Sequence, residues 1–175
     1  MKDGMISGRQ YQLTKQVGEY LVACELARRG LLVATFSGNV PDFDLIATDG
    51  RGHSLPVQIK TATAGSWHFD ITRFVGITFE GEQQIIGDNK PLSVQNLIYV
   101  FVIAATQYGG DEFFILDEAT LQDKLIGSYR RYLEKNGFRR PKNPCSTHAG
   151  FKSSLIQDYK DAWLTITTHF LPTTS

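Results

Sequence analysis

Several things are scarce in this chain, and each scarcity excludes a class of protein. There are only two cysteines, Cys24 and Cys145, which rules out a disulfide framework. No run of about 18 apolar residues occurs, so no membrane-spanning helix is expected. The opening residues, MKDGMISGRQ, lack a hydrophobic signal core, and a cytoplasmic location is the expectation. Net charge is zero, with 18 Lys+Arg against 18 Asp+Glu, which argues against strong nonspecific DNA binding by total charge alone. There is no internal repeat, no low-complexity tract and no clean boundary. At 175 residues the chain is expected to form a single domain, 1–175, with room for a sizeable core.

The charge is unevenly spread. Residues 1–123 carry 9 Lys+Arg against 15 Asp+Glu, and residues 124–175 carry 9 against 3. The imbalance reads either as a basic face set against an acidic body or as ordinary solvated helix and loop surface. The segment 124–152 holds Lys124, Arg130, Arg131, Lys135, Arg139, Arg140, Lys142 and Lys152, interleaved with Tyr129, Tyr132, Phe138 and Phe151. Cations among aromatics suit a phosphate backbone and exposed bases.

A helix is expected from about Thr14 to Arg29, with Val17, Tyr20, Leu21, Cys24 and Ala27 or Arg28 as its buried stripe and Gly30 as its stop. Ser7 and Gln10 have capping-box spacing ahead of it. Strands are expected at Leu31–Phe36, Phe43–Thr48, Leu55–Thr61, Trp67–Ile71, Leu97–Ala105 and Phe113–Leu116. Leu97–Ala105 is apolar on both parities, as in a central strand covered on both faces. Asp117 is placed to cap a helix reaching Leu125 or beyond. Ser154 and Gln157 suggest a capping box for a last helix running to about Ile166, buried through Leu155, Tyr159, Ala162, Trp163 and Ile166.

The chemically loaded stretch is Pro41 to Thr61, PDFDLIATDGRGHSLPVQIKT. Asp49, Gly50 and Gly52 make a turn between two short strands, hence a β-hairpin. A turn centred on Arg51 sets Asp44 opposite Gln58. Gln58 and Lys60 then share one strand face, and Val57 and Ile59 the other. One acid, one amide and one lysine converge, and a slip of one residue would undo this. Such a set can serve phosphodiester hydrolysis. Asp44 would be an anionic ligand for Mg²⁺, Gln58 a neutral amide oxygen, and the Ile59 backbone carbonyl a further oxygen. Lys60 could orient or deprotonate water, or meet charge developing on the phosphate. Glu19 could reach the same site from the neighbouring helix. Cys145 and His148 offer two zinc ligands where structural zinc wants four. His53 reads as turn surface, and His68 could touch the site.

Asp42-Phe43-Asp44-Leu45-Ile46-Ala47, followed by Val57-Gln58-Ile59-Lys60-Thr61 and preceded by a helix with Gly18-Glu19, resembles the PD-(D/E)XK nuclease superfamily. It is similar to archaeal Holliday-junction resolvases and to a homing endonuclease subclass with Gln-x-Lys in the hairpin. The resemblance covers roughly residues 14–65. It implies an α/β, restriction-endonuclease-like core: a mixed central β-sheet flanked by helices. It also implies a Mg²⁺-dependent DNA endonuclease (Mn²⁺ able to substitute), with Glu19, Asp44, Gln58 and Lys60 as catalytic residues. The metal would be held by Glu19, Asp44, Gln58 and the Ile59 carbonyl. The substrate would be duplex or branched DNA, tracked by Arg130, Arg131, Lys135, Arg139, Arg140 and Lys142, and the protein would form a homodimer or higher homo-oligomer. Gln58 stands where the family usually has a second acid. The other outcome consistent with that substitution is a catalytically inactive nuclease-fold module that binds DNA or protein.

Overall fold

The computed structural model describes residues 8–36 and 42–171. Ser7, Ser37–Asn39, Pro41 and the tail after Leu171, all read above from sequence, lie outside them. The elements are α1 (Gly8–Arg28), β1 (Leu32–Thr35), β2 (Leu45–Thr48), β3 (Ser54–Ala62), β4 (Ser66–Asp70), β5 (Val75–Glu80), β6 (Gln83–Asn89), β7 (Ile98–Ile103), β8 (Glu112–Asp117), α2 (Glu118–Lys135), β9 (His148–Lys152) and α3 (Leu164–Thr167). Five strands form a sheet in the order β1-β2-β3-β7-β8, antiparallel except for the parallel β3–β7 pair. Helices lie on both faces, giving the expected α/β architecture of a mixed central sheet flanked by helices.

Strand β7 explains the layering. Ile98, Val100 and Val102 join Val22 and Leu26 of α1, with Trp163 and Ile166, in one apolar cluster. Tyr99 and Phe101 join Leu121, Leu125 and Tyr129 of α2 on the other face. Both parities are buried, as its continuous apolar run predicts. Trp67 and Phe69 of β4, paired with Phe151 and Ala149 of β9, complete the α2 side. Asp117 caps α2 as expected, its carboxylate accepting from the Thr120 N–H at 2.7 Å.

Two expectations are corrected. The buried stripe of α1 is Gly18, Val22 and Leu26. Val17 and Tyr20 are 45% and 63% exposed, and Cys24 is exposed too. Spacing alone could not choose between the stripes, and what decides is how close the helix can come to β3. A Cβ on Gly18 would lie 1.8 Å from Thr61 Oγ1, so the glycine side of α1 is the side that can dock. Second, no capping box or long helix follows Ser154. The Gln157 amide instead donates to the Ser153 carbonyl at 3.1 Å. Two 3-10 turns (Ser153–Leu155, Gln157–Tyr159) lead to a β-bridge between Lys160 and Phe114. Asp161, at φ 53, then redirects the chain into the four-residue α3. Strand β9, unexpected from the sequence, lies inside the basic segment, where turn residues and charge mask its pattern.

The contact between Gly18 and Thr61 is testable. Gly18→Ala is expected to lower stability by about 1–3 kcal/mol, since overpacking outweighs the better helix propensity of alanine. Thr61 Oγ1 is buried without a partner, so Thr61→Ala is expected to be close to neutral alone and to recover part of the Gly18→Ala loss. Urea unfolding of the two single variants and the double variant checks this.

Candidate active site

Asp44 immediately precedes the first residue of β2. The register Leu45↔Val57 is the one a turn centred on Arg51 requires, and just beyond it the Asp44 N–H donates to the Val57 carbonyl at 2.9 Å. Beyond that point β3 runs on to Ala62 while β2 has ended, so the flank of β3 on that side loses its strand partner. The Asp44 carboxylate fills the gap. Its Oδ2 accepts the Ile59 N–H at 2.7 Å and also the Gln58 side-chain amide. In a strand the N–H and C=O of one residue face the same edge, so the Ile59 carbonyl faces the vacated edge as well.

Helix α1 supplies the rest. Because Gly18 lets it approach β3, its N-terminal half overhangs the start of β2. Lys15 Nζ lies 3.2 Å from Asp44 Oδ1 and 3.4 Å from Glu19 Oε1. Burial works against the Lys15 ammonium, but Asp44 and Glu19 together outweigh it, holding its pKa above the ordinary lysine value. Lys60 shares the Gln58 face of β3 and lies opposite Phe101, its Nζ 5.9 Å from the Phe69 ring centre. Burial pushes the Lys60 pKa below the lysine value; Asp44 opposes this, while Arg73 and Lys15 add to it. Arg73 Nη2 pairs with Asp42 Oδ1 at 3.0 Å. Tyr99, opposite Gln58 on β7, has its phenol pushed up to about 12, by burial first and then by Glu118.

The structure therefore joins Glu19, Asp44 and Gln58 through Lys15 and the Gln58 amide, with Lys60 close enough to feel the charge of Asp44. It adds Lys15, Arg73 and Tyr99, which the sequence reading passed over. Lys15 carried a signal, since it lies four residues before Glu19 on a helix. Arg73 carried none, because its position depends on the 3-10 turn Ile71–Arg73 after β4. Gln58 uses its amide N–H on Asp44, so in this arrangement it is a donor that orients the carboxylate. Among the described residues no group of three or more His, Cys, Asp or Glu is set to hold a metal. The oxygens available to a hard cation are those of Asp44 and Glu19 and the Ile59 carbonyl. One ammonium already touches both carboxylates, so a cation can stand between them, and Mg²⁺ is commonly held by one or two carboxylates with water and phosphate completing its shell. His53 bonds Asp49 within the turn at 2.8 Å, and His68 stacks on His148 with centroids 4.7 Å apart.

The basic residues fall into two groups. Arg139 pairs with Glu82, and Arg140 lies 5.6 Å over the Tyr132 ring and donates to the His148 carbonyl. Arg130, Arg131, Lys135 and Lys142 stand exposed, with no ion pair among the described residues. The loop that carries Arg139 to Lys142 is anchored by buried Gln84. Its amide donates to the Pro144 and Ser146 carbonyls at 2.6 and 3.0 Å and accepts from Tyr129 at 2.6 Å. Beside that loop, Tyr132, Arg140, His148 and Lys152 line a cavity of about 360 Å³ whose charged walls are all basic.

No protein-family model and no curated protein matches the chain. Solved structures similar to it include the following two. One is a bacterial homing endonuclease, I-Ssp6803I, 14% identical over 64% of this chain and 72% of that chain, with a TM-score of 0.41. The other is Hjc, a Holliday junction resolvase from the archaeal hyperthermophile Archaeoglobus fulgidus, 10% identical over 82% and 87%, with a TM-score of 0.41. At such identity and overlap, function has to be argued from this chain's own side chains.

The donor role of Gln58 gives a direct test. Gln58→Glu replaces a donor to Asp44 with a second anion in a partly buried pair, and is expected to cost about 1–3 kcal/mol at pH 7. Urea unfolding in the presence of a chelator measures it.

Proposed function

We propose that the protein is a divalent-metal-dependent endonuclease that hydrolyses phosphodiester bonds in DNA, duplex or branched. The observation that supports this reading is the pair of carboxylates, Glu19 and Asp44, held about one ammonium at the vacated flank of β3, with Lys60 within electrostatic reach of Asp44. Two carboxylates there share one cationic position, and a lysine lies on the neighbouring strand face.

Each residue has a role in this reading. Asp44 and Glu19 would hold Mg²⁺ (or Mn²⁺), with the Ile59 carbonyl as a neutral ligand. The ion, when bound, would supply charge neutralisation at the phosphate and a more acidic water. Gln58 keeps Asp44 oriented through its amide. Lys60, carried on a rigid strand and partly desolvated, positions the attacking water or meets negative charge growing on the phosphate. Arg130, Arg131, Lys135 and Lys142 supply free cations for the phosphate backbone, while Arg139 and Arg140 shape the loop that presents it. A homodimer would set one such site on each strand of a duplex. A second reading, a binding module that does not cut, draws support from the Gln58 amide, which occupies Asp44 where a second acid would add charge for a metal.

One experiment separates them. Plasmid, single-stranded and branched DNA are incubated with the protein and Mg²⁺ or Mn²⁺. Asp44→Asn and Lys60→Met are each expected to lower cleavage by about 10²–10⁴-fold while the proteins remain folded. Cleavage that survives both substitutions would sink the site assignment, and salt-sensitive binding with no cleavage in either metal favours the module. Removing the charges of Arg130, Lys135 and Lys142 together is expected to reduce the salt slope of DNA binding by about 2–3, read by fluorescence anisotropy across a salt series.

A further inference from the structure

The site already contains a cation of its own. Asp44 Oδ2 is taken by the Gln58 amide and the Ile59 N–H, and its Oδ1 faces Lys15 Nζ at 3.2 Å. The same ammonium lies 3.4 Å from Glu19 Oε1. Both oxygens of Asp44 are thus occupied by donors from this chain. The place between the two carboxylates, where the reading above puts the divalent ion, is filled by Lys15.

The two ends of this contact differ in freedom. The Asp44 side chain is 9% exposed and tied to strand β3, while the Lys15 side chain is 39% exposed, on a flexible four-carbon stem. When the contact breaks, it is Lys15 that moves. It does not move inward, because the desolvated Lys60 already places positive charge on that side of Asp44. The outward path leads past the part-exposed Glu19 to solvent, from which a DNA phosphate would arrive.

We propose that Lys15 is a displaceable counter-ion: it holds Glu19 and Asp44 together in the DNA-free protein, gives them up to the divalent ion, and then pairs with a phosphate of the bound DNA. This rests on the reading that Asp44 and Glu19 hold the ion. Lys15 is a positioning residue of the free site and a phosphate contact of the loaded one. The ion and the DNA both favour the swung-out side chain, so each raises the affinity for the other, reciprocally. A purely structural lysine would behave in the opposite way, since its loss would loosen the two carboxylates and weaken ion binding.

Calorimetric titration of the full chain with Ca²⁺, alone and with a saturating short duplex, tests this. The wild-type protein is expected to bind Ca²⁺ at least about tenfold more tightly when the duplex is present. Lys15→Gln is expected to bind Ca²⁺ about tenfold more tightly than wild type without DNA, and to lose most of the gain from the duplex. Lys15→Arg, which keeps the charge, should restore weak binding without DNA. Asp44→Asn identifies the ion's place. If Asp44→Asn abolishes binding but Lys15→Gln binds Ca²⁺ no better than wild type, the counter-ion proposal is overturned and the metal reading stands. If Asp44→Asn binds like wild type, or if no protein binds the ion with or without duplex, both are overturned.

Discussion

Where β2 parts from β3, a backbone N–H is left without a strand to receive it. An unpaired buried amide costs free energy comparable to a lost hydrogen bond. Asp44 takes that amide on its carboxylate, and the rest of the site is arranged around this one bond. It fixes the rotamer of Asp44, and so determines which oxygen faces the cleft. It gives the Gln58 amide a charged acceptor on the neighbouring residue. It also leaves one oxygen outward for whatever cation approaches from α1. Structural satisfaction of the sheet and chemical readiness of the site are the same interaction.

Helix α1 depends on a second close fit. Its docking side is marked by Gly18 and by two aliphatic side chains, Val22 and Leu26. A larger residue at Gly18 would lift the helix from Thr61 and carry Lys15 and Glu19 away from Asp44. The same docking leaves Leu13, Val17 and Tyr20 to solvent. The price of a tight approach on one side is an apolar surface on the other.

How much of this was written in the chain can be judged residue by residue. The hairpin was legible down to its register, because a Gly-rich turn and alternating strands admit few pairings, and Leu45↔Val57 is the one observed. The central strand and the Asp117 cap were legible for similar local reasons. The docking side of α1 was not, since Val17–Tyr20–Cys24 and Gly18–Val22–Leu26 are equally helical spacings, and a glycine does not register as a hydrophobic residue. Strand β9 was not legible because it pairs with β4 across some eighty residues, and its buried residues are only Ala149 and Phe151. Ser154 and Gln157 had the spacing of a cap, but Lys160 bridging to Phe114 draws that segment along the sheet edge. Local patterns predicted the site's strands; long-range pairings decided what surrounds them.

The distance between β4 and β9 along the chain matters for how the protein is made. Trp67 stands opposite Phe151, and Phe69 opposite Ala149. Synthesis from the N-terminus therefore releases Trp67, Phe69 and Phe101 long before Phe151 can cover them. For Trp67 and Phe69, some eighty residues ahead of Phe151, the interval at about 5–20 residues per second is on the order of 4–16 s. Through that interval the emerging polypeptide carries the hairpin and its catalytic candidates on a sheet whose aromatic face is still wet. A chaperone that recognises such surface would find its window there.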